Sequence, residues 1–133
     1  MKTINLEQIQ QINLFENITK ARVKELLINE ETYIFIVEQG DASKAIGKQG
    51  SNIARISNMF RKRIKIVEFN PEIKYFINNL FSPLKPQIKI TDSLVEVTAD
   101  TKTKGLLIGR DKRNLNIYKG VLKEYFNKDL IIK

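Results

Sequence analysis

The sequence predicts an α+β protein made of two copies of one small unit, each with three strands packed with helices. Three observations lead there. The segment Ala45-Ile46-Gly47-Lys48-Gln49-Gly50-Ser51-Asn52-Ile53 recurs as Leu107-Ile108-Gly109-Arg110-Asp111-Lys112-Arg113-Asn114-Leu115, with its glycines 62 positions apart (109 − 47). Hydrophobic spacing runs in the same order in both halves: helix, strand, strand, helix, turn, helix, strand. Between the halves stands Asn70-Pro71, and proline suits the first position of a helix. The expected units are residues 1–69 and 70–133. Domains of about 65 residues are marginal alone, so the two copies are expected to pack against each other.

Each element has a local reason. From Leu6 to Glu16, apolar residues at Leu6, Ile9, Ile12 and Phe15 mark an amphipathic helix. Ala21 to Ile28 reads as a strand, Glu30-Glu31 as a turn, and the β-branched and aromatic run Thr32 to Val37 as the next strand. Gly40-Asp41 breaks it, and Asp41 or Ser43 is a candidate cap for a short helix, Lys44 to Ile46. Ile53, Ile56, Met59 and Phe60 then put one helix face on a core, with Arg55, Arg61 and Lys62 pointing elsewhere. Ile64 to Phe69 closes the first unit as a strand.

The second unit follows the same plan. Glu72 to Phe81 is a helix with Ile73, Phe76, Ile77 and Leu80 on one side, ended by Pro83 and Pro86. Ile88 to Ile90 and Leu94 to Val97 form a hairpin around Thr91-Asp92-Ser93. Lys104 to Ile108 is a short helix before Gly109. Leu115 to Phe126 is a longer one, with Leu115, Tyr118, Leu122, Tyr125 and Phe126 as its stripe, and Leu130 to Ile132 is the last strand.

Composition narrows the function. Hydrophobic content is 42%, and no apolar run approaches the ~20 residues that cross a bilayer. The first residues lack the apolar core of a secretory signal, and cysteine is absent, so a cytoplasmic location is expected and membrane partners are not. Histidine is absent too, which removes the usual zinc sites and His-based triads. A non-enzymatic protein with no cofactor and no small-molecule substrate is expected, although carboxylates and lysines alone can support catalysis.

Charge points to a partner. Lys and Arg number 23 against 15 Asp and Glu, a net +8, the footprint of a nucleic-acid binder, which ribosomal and membrane-surface proteins share. Between Ala42 and Val67 lie Lys44, Lys48, Arg55, Arg61, Lys62, Arg63 and Lys65 with no acid. Between Lys102 and Lys123 lie Lys102, Lys104, Arg110, Lys112, Arg113, Lys119 and Lys123, opposed only by Asp111.

A Gly-x-x-Gly between two helices supplies backbone angles closed to other residues and a close approach. Its amides and the positive end of the next helix favour an anion, and Lys48 adds a full charge. Ile46-Gly47-Lys48-Gln49-Gly50-Ser51-Asn52-Ile53 resembles the Ile-Gly-x-x-Gly signature of the K-homology (KH) domain. The order of elements resembles the type II, prokaryotic arrangement. Two such units with almost no linker resemble the RNA-binding half of the NusA-like transcription elongation and termination factors. A length of 133 without a polymerase-binding or S1 domain is similar to their short archaeal form.

The resemblance implies a single-stranded RNA partner, with RNA polymerase as a further partner, and a role in elongation, pausing or termination. It implies RNA-binding residues Lys44, Gly47, Lys48, Gln49, Gly50, Asn52 and Arg55 in the first copy, and Lys104, Gly109, Arg110, Lys112 and Arg113 in the second. The second copy departs from the pattern. It lacks the closing glycine, which strains Lys112 if φ is positive there, and Asp111 puts a negative charge where a phosphate approaches. The first copy is therefore expected to be the better grip, and the second altered, weakened or a scaffold.

Phe35, Phe60, Tyr118 and Tyr125 are expected in the core, Tyr33 and Tyr75 stay open, and Glu30, Glu31, Glu68 and Glu72 read as solvated charge. Two other functions remain: a ribosome-associated or RNA-processing accessory protein, and a nucleotide-using enzyme. The enzyme reading lacks a P-loop and a Gly-x-Gly-x-x-Gly fingerprint.

Overall fold

The computed structural model describes residues 5–133. The chain divides into two compact units, Met1–Pro71 and Glu72–Lys133. The first holds α1 (Leu6–Thr19), β1 (Val23–Asn29), β2 (Thr32–Val37), α2 (Ala42–Ile46), a single 3-10 turn (Lys48–Gly50), α3 (Ser51–Phe60) and β3 (Arg63–Glu68). The second holds α4 (Ile73–Phe81), β4 (Gln87–Ile90), β5 (Leu94–Thr98), α5 (Thr101–Ile108), a 3-10 turn (Arg110–Lys112), α6 (Arg113–Phe126) and β6 (Asp129–Ile132).

Each unit carries one three-stranded sheet, in order β1-β2-β3 and β4-β5-β6. In both, the first two strands are antiparallel and the third runs parallel to the second, with Thr32 opposite Arg63 and Leu94 opposite Asp129. A parallel pair needs a crossover of a dozen or more residues. In each unit that crossover is the helix–turn–helix, so the repeated glycine turn sits within the connection between two bonded strands, flanked by its two helices.

Helices α1 and α3 close one face of the first sheet. Phe15 stacks on Phe35 at 4.0 Å, and Ala21, Leu26, Tyr33, Val37, Ala45 and Ile56 complete the cluster, with Phe60 packed against it. Each large apolar side chain buried this way contributes about 1.5–3 kcal/mol. In the second unit Phe76, Ile77, Leu80 and Phe81 of α4 are buried, as are Val95, Val97, Leu107, Leu122 and Leu130. Phe81 meets Tyr118 edge-on at 5.0 Å, and Phe76 lies 5.6 Å from Phe126.

Several ends differ from the sequence expectations. Helix α1 continues to Thr19, whose hydroxyl donates to the Phe15 carbonyl and accepts from the Ala21 amide. Strand β1 therefore starts at Val23, tied to the Glu16 carboxylate by its amide at 2.8 Å. Strand β3 is shifted by one residue to Arg63–Glu68. Helix α5 starts at Thr101 rather than Lys104 because Asp100 caps it, accepting from the Thr103 amide at 2.7 Å. Helices α2 and α6 likewise begin two residues early, at Ala42 and Arg113. The Met1–Asn5 stretch of the N-terminus is described only from Asn5, whose side chain caps α1 through the Gln8 amide.

Candidate nucleic-acid interface

The glycine turn between α2 and α3 is shaped by backbone angles that few residues accept. Gly47 sits at φ 78°, ψ 171°, a region essentially confined to glycine. A Cβ there would meet the Asn52 backbone nitrogen and side-chain carbon at 2.8 Å. Gln49 (φ 55°) and Gly50 (φ 75°) are left-handed, and the Gly50 amide bonds back to the Gly47 carbonyl at 3.2 Å. Asn52 locks the arrangement: its side-chain amide donates to the Lys44 carbonyl at 2.8 Å, joining the start of α3 to the end of α2.

The turn between α5 and α6 repeats this. Gly109 lies at φ 74°, ψ 174°, Asp111 at φ 54° and Lys112 at φ 61°. The Asn114 side chain donates to the Leu106 carbonyl at 3.1 Å, and a Cβ on Gly109 would come within 2.8 Å of it. Lys112 thus occupies the left-handed region without being glycine, at a cost of about 1–2 kcal/mol. The exposed Asp111 and the half-buried Arg113 form a loose ion pair at 3.9 Å.

The structure gathers Gly47, Lys48, Gln49, Gly50 and Asn52 in the first turn, with Lys48 and Gln49 exposed. Lys44 is exposed one helical turn before it, 3.5 Å from the Asp41 carboxylate, and Arg55 is exposed on α3. Gly109, Arg110, Lys112 and Arg113 make up the second turn, whereas Lys104 lies half-buried in the middle of α5. The aliphatic residue before the first glycine, Ile46, is 40% exposed, and Leu106 beside the second turn is 52% exposed.

Two acids do more than the sequence suggested. Asp41 does not cap α2; its carboxylate accepts from the Arg22 amide at 2.9 Å. That bond, with Lys44 nearby, holds its pKa below the usual range. Glu68, expected as solvated charge, takes the Gly40 and Ala42 amides at 3.1 and 3.2 Å and so satisfies the start of α2 from the end of β3. The signal was topological: a parallel third strand ends beside the point where the second strand leaves for its helix. Burial on β3 also lowers the Lys65 pKa.

Of the aromatic residues expected in the core, Phe35 is fully buried and Tyr118 nearly so, whereas Phe60 and Tyr125 are half-buried. Tyr33 is buried with its hydroxyl accepting from the Gln11 side chain at 3.0 Å. Tyr75 is exposed. Among the described residues no helix is long and apolar enough to cross a membrane, and no cluster of three carboxylates is placed to hold a metal. A depression of about 370 Å³ around Ser82–Pro86 includes no residue of either turn.

Comparison with known proteins agrees with the turn geometry. The KH domain family matches residues 10–83, from within α1 through the first turn to α4. The chain is 32% identical over 118 residues to a probable transcription termination protein NusA of Methanococcus vannielii, covering 85% of this chain and 68% of that one. It is 28% identical over 127 residues to the protein of the same description from Methanocaldococcus jannaschii, covering 92% and 69%. Among solved structures, the crystal structure of APE1850 superposes with a TM-score of 0.70 at 26% identity, covering 98% of this chain and all of that one.

Proposed function

The chain belongs to the KH-domain family and is a NusA-like RNA-binding transcription factor, and from that premise we propose that it grips single-stranded RNA through the Gly47–Gly50 turn. There it modulates RNA polymerase during elongation, pausing or termination, in the cytoplasm and without catalysis of its own. We read both units as type II KH domains, residues 1–69 and 70–133, on their shared element order, parallel third strand and matched turns.

One observation carries this reading. The first turn holds Gly47 in a conformation confined to glycine, clamped by Asn52, with Lys48 and Gln49 exposed at its tip. Amides at the start of a helix and an adjacent ammonium suit a phosphodiester, and the exposed Ile46 offers an apolar surface for a base. Asn52 acts in this scheme by positioning the turn. Arg55 and Lys44 extend the positive surface along the strand, and Arg110, Lys112 and Arg113 do so in the second unit. KH grooves hold about four nucleotides each, and two linked units gain from effective concentration.

Fluorescence anisotropy with short single-stranded RNAs across a salt series tests the proposal. Lys48→Asp/Gln49→Asp should cut binding to the weak residual grip of the second turn while the chain stays folded, and Arg110→Asp/Lys112→Asp should weaken it less. Native affinity should fall with a log–log salt slope of about 0.7 per phosphate neutralised. Unchanged binding in both variants would remove the turns as the RNA site.

A further inference from the structure

We infer that Asp111 sets the second turn's affinity for a phosphodiester below that of the first, by repelling the phosphate and by drawing off the guanidinium that would meet it. The inference rests on the RNA-binding reading above and deepens it.

The second turn has not lost its shape. Gly109 and Gly47 agree to within a few degrees, at φ 74°, ψ 174° and φ 78°, ψ 171°. Asp111 and Gln49 agree as closely, at φ 54°, ψ 29° and φ 55°, ψ 30°. The closing bond is 3.2 Å in both, from Lys112 to Gly109 and from Gly50 to Gly47. Even without the closing glycine, Lys112 holds the left-handed angle. A turn built this way still offers the backbone that takes an anion.

The side chains differ instead. The neutral Gln49 is replaced by Asp111, 74% exposed at the tip, and Ser51 by Arg113, whose Nη2 lies 3.9 Å from the Asp111 Oδ2. Gross charge does not explain a weaker grip, since residues 109–114 sum to +2 (Arg110, Lys112, Arg113 against Asp111) and residues 47–52 to +1 (Lys48). Placement does. The carboxylate stands where the phosphate arrives and competes with it for Arg113. A pair of this length, with its carboxylate exposed and its guanidinium half-buried, is weak and screened by salt, so it is exchangeable and not a permanent lock.

The test uses the full chain carrying Lys48→Asp/Gln49→Asp, which leaves the second turn as the remaining grip, and a fluorescein-labelled single-stranded RNA of randomised sequence. Asp111→Asn keeps the side chain's size, and asparagine accepts the left-handed region, so the turn is preserved. It should raise affinity about three- to tenfold at low salt and steepen the log–log salt slope by about 0.7. Arg113→Gln should cost most of that gain in the Asp111→Asn chain and much less in the chain that retains Asp111. Unchanged affinity and slope in Asp111→Asn, or an equal cost of Arg113→Gln in both backgrounds, overturns the inference. If the chain with both native turns fails to bind the RNA, the RNA-binding reading falls and this inference with it. If that chain binds and Asp111→Asn adds nothing, only the role of Asp111 falls.

Discussion

Replacing Gly47 with alanine should damage the first unit far more than replacing Gly50, although both glycines belong to one turn. At Gly47 the angles φ 78°, ψ 171° lie where only glycine is comfortable, which costs alanine about 1–3 kcal/mol. The new Cβ would also stand 2.8 Å from the Asn52 backbone nitrogen, and moving α3 away breaks the Asn52–Lys44 bond, about 1 kcal/mol more. Against this, alanine recovers about 0.4–1 kcal/mol from the stiffer unfolded chain. The net is a loss of about 2–3 kcal/mol. Gly50 at φ 75°, ψ 15° is left-handed with nothing within 4 Å of an added Cβ, so the same sum leaves about 0.5–1 kcal/mol. In a unit this small about 1 kcal/mol moves Tm by 4–8 °C, so shifts of about 8–24 °C and about 2–8 °C are expected. Amide exchange of β2 in the intact chain reads the first unit by itself and supplies the free energies directly. Equal losses, or a milder one at Gly47, would refute the close-approach reasoning.

Other substitutions isolate single parts of the site. Asn52→Ala should cost about 1 kcal/mol of stability in the first unit and weaken RNA binding without touching a charge, read by amide exchange and anisotropy together. Glu68→Gln should lower the stability of the first unit by about 1 kcal/mol, since the Gly40 and Ala42 amides lose a charged acceptor; thermal unfolding checks it. Lys112→Val, a β-branched residue at φ 61°, should destabilise the second unit by about 1–2 kcal/mol, whereas Lys112→Gly should not. The carboxyls of Asp41 and Asp100 have folded pKa values below 3.8, held there chiefly by the Arg22 and Thr103 amides. Their stabilisation is thus present above that value and is lost as pH falls through the folded pKa values. Asp100→Asn keeps a good cap and removes one titration, so denaturation curves below about pH 4 should become less steep in pH.

The order of elements was legible because each one declares itself locally. Thr32 to Val37 cannot be other than a strand, and the Ile53, Ile56, Phe60 spacing belongs to a helix. The turn was legible because its angles demand glycine, and the repeat showed that the demand arises twice. What escaped the sequence was anything settled by partners distant along the chain. Asp41 looked like a cap but bonds to Arg22, and Glu68 looked solvated but serves the start of α2, because the strand pairing that brings them together leaves no periodic trace. Asn52 was visible as a repeated letter, yet its work on the Lys44 carbonyl is three-dimensional. Asp100 and Thr101 escaped for a different reason: a polar Asp-Thr-Lys-Thr run carries no apolar stripe to announce a helix.

The bonds from Gly40 and Ala42 to Glu68 also bear on the order in which the first unit can be assembled. The turn is read early in synthesis, but the residue that satisfies the start of its leading helix is the last of β3. Until that strand docks beside β2, the amides of Gly40 and Ala42 face water and α2, only five residues long, has little to hold it. A nascent chain therefore carries the glycine motif well before it carries the shaped turn, and acquires that shape as the sheet closes.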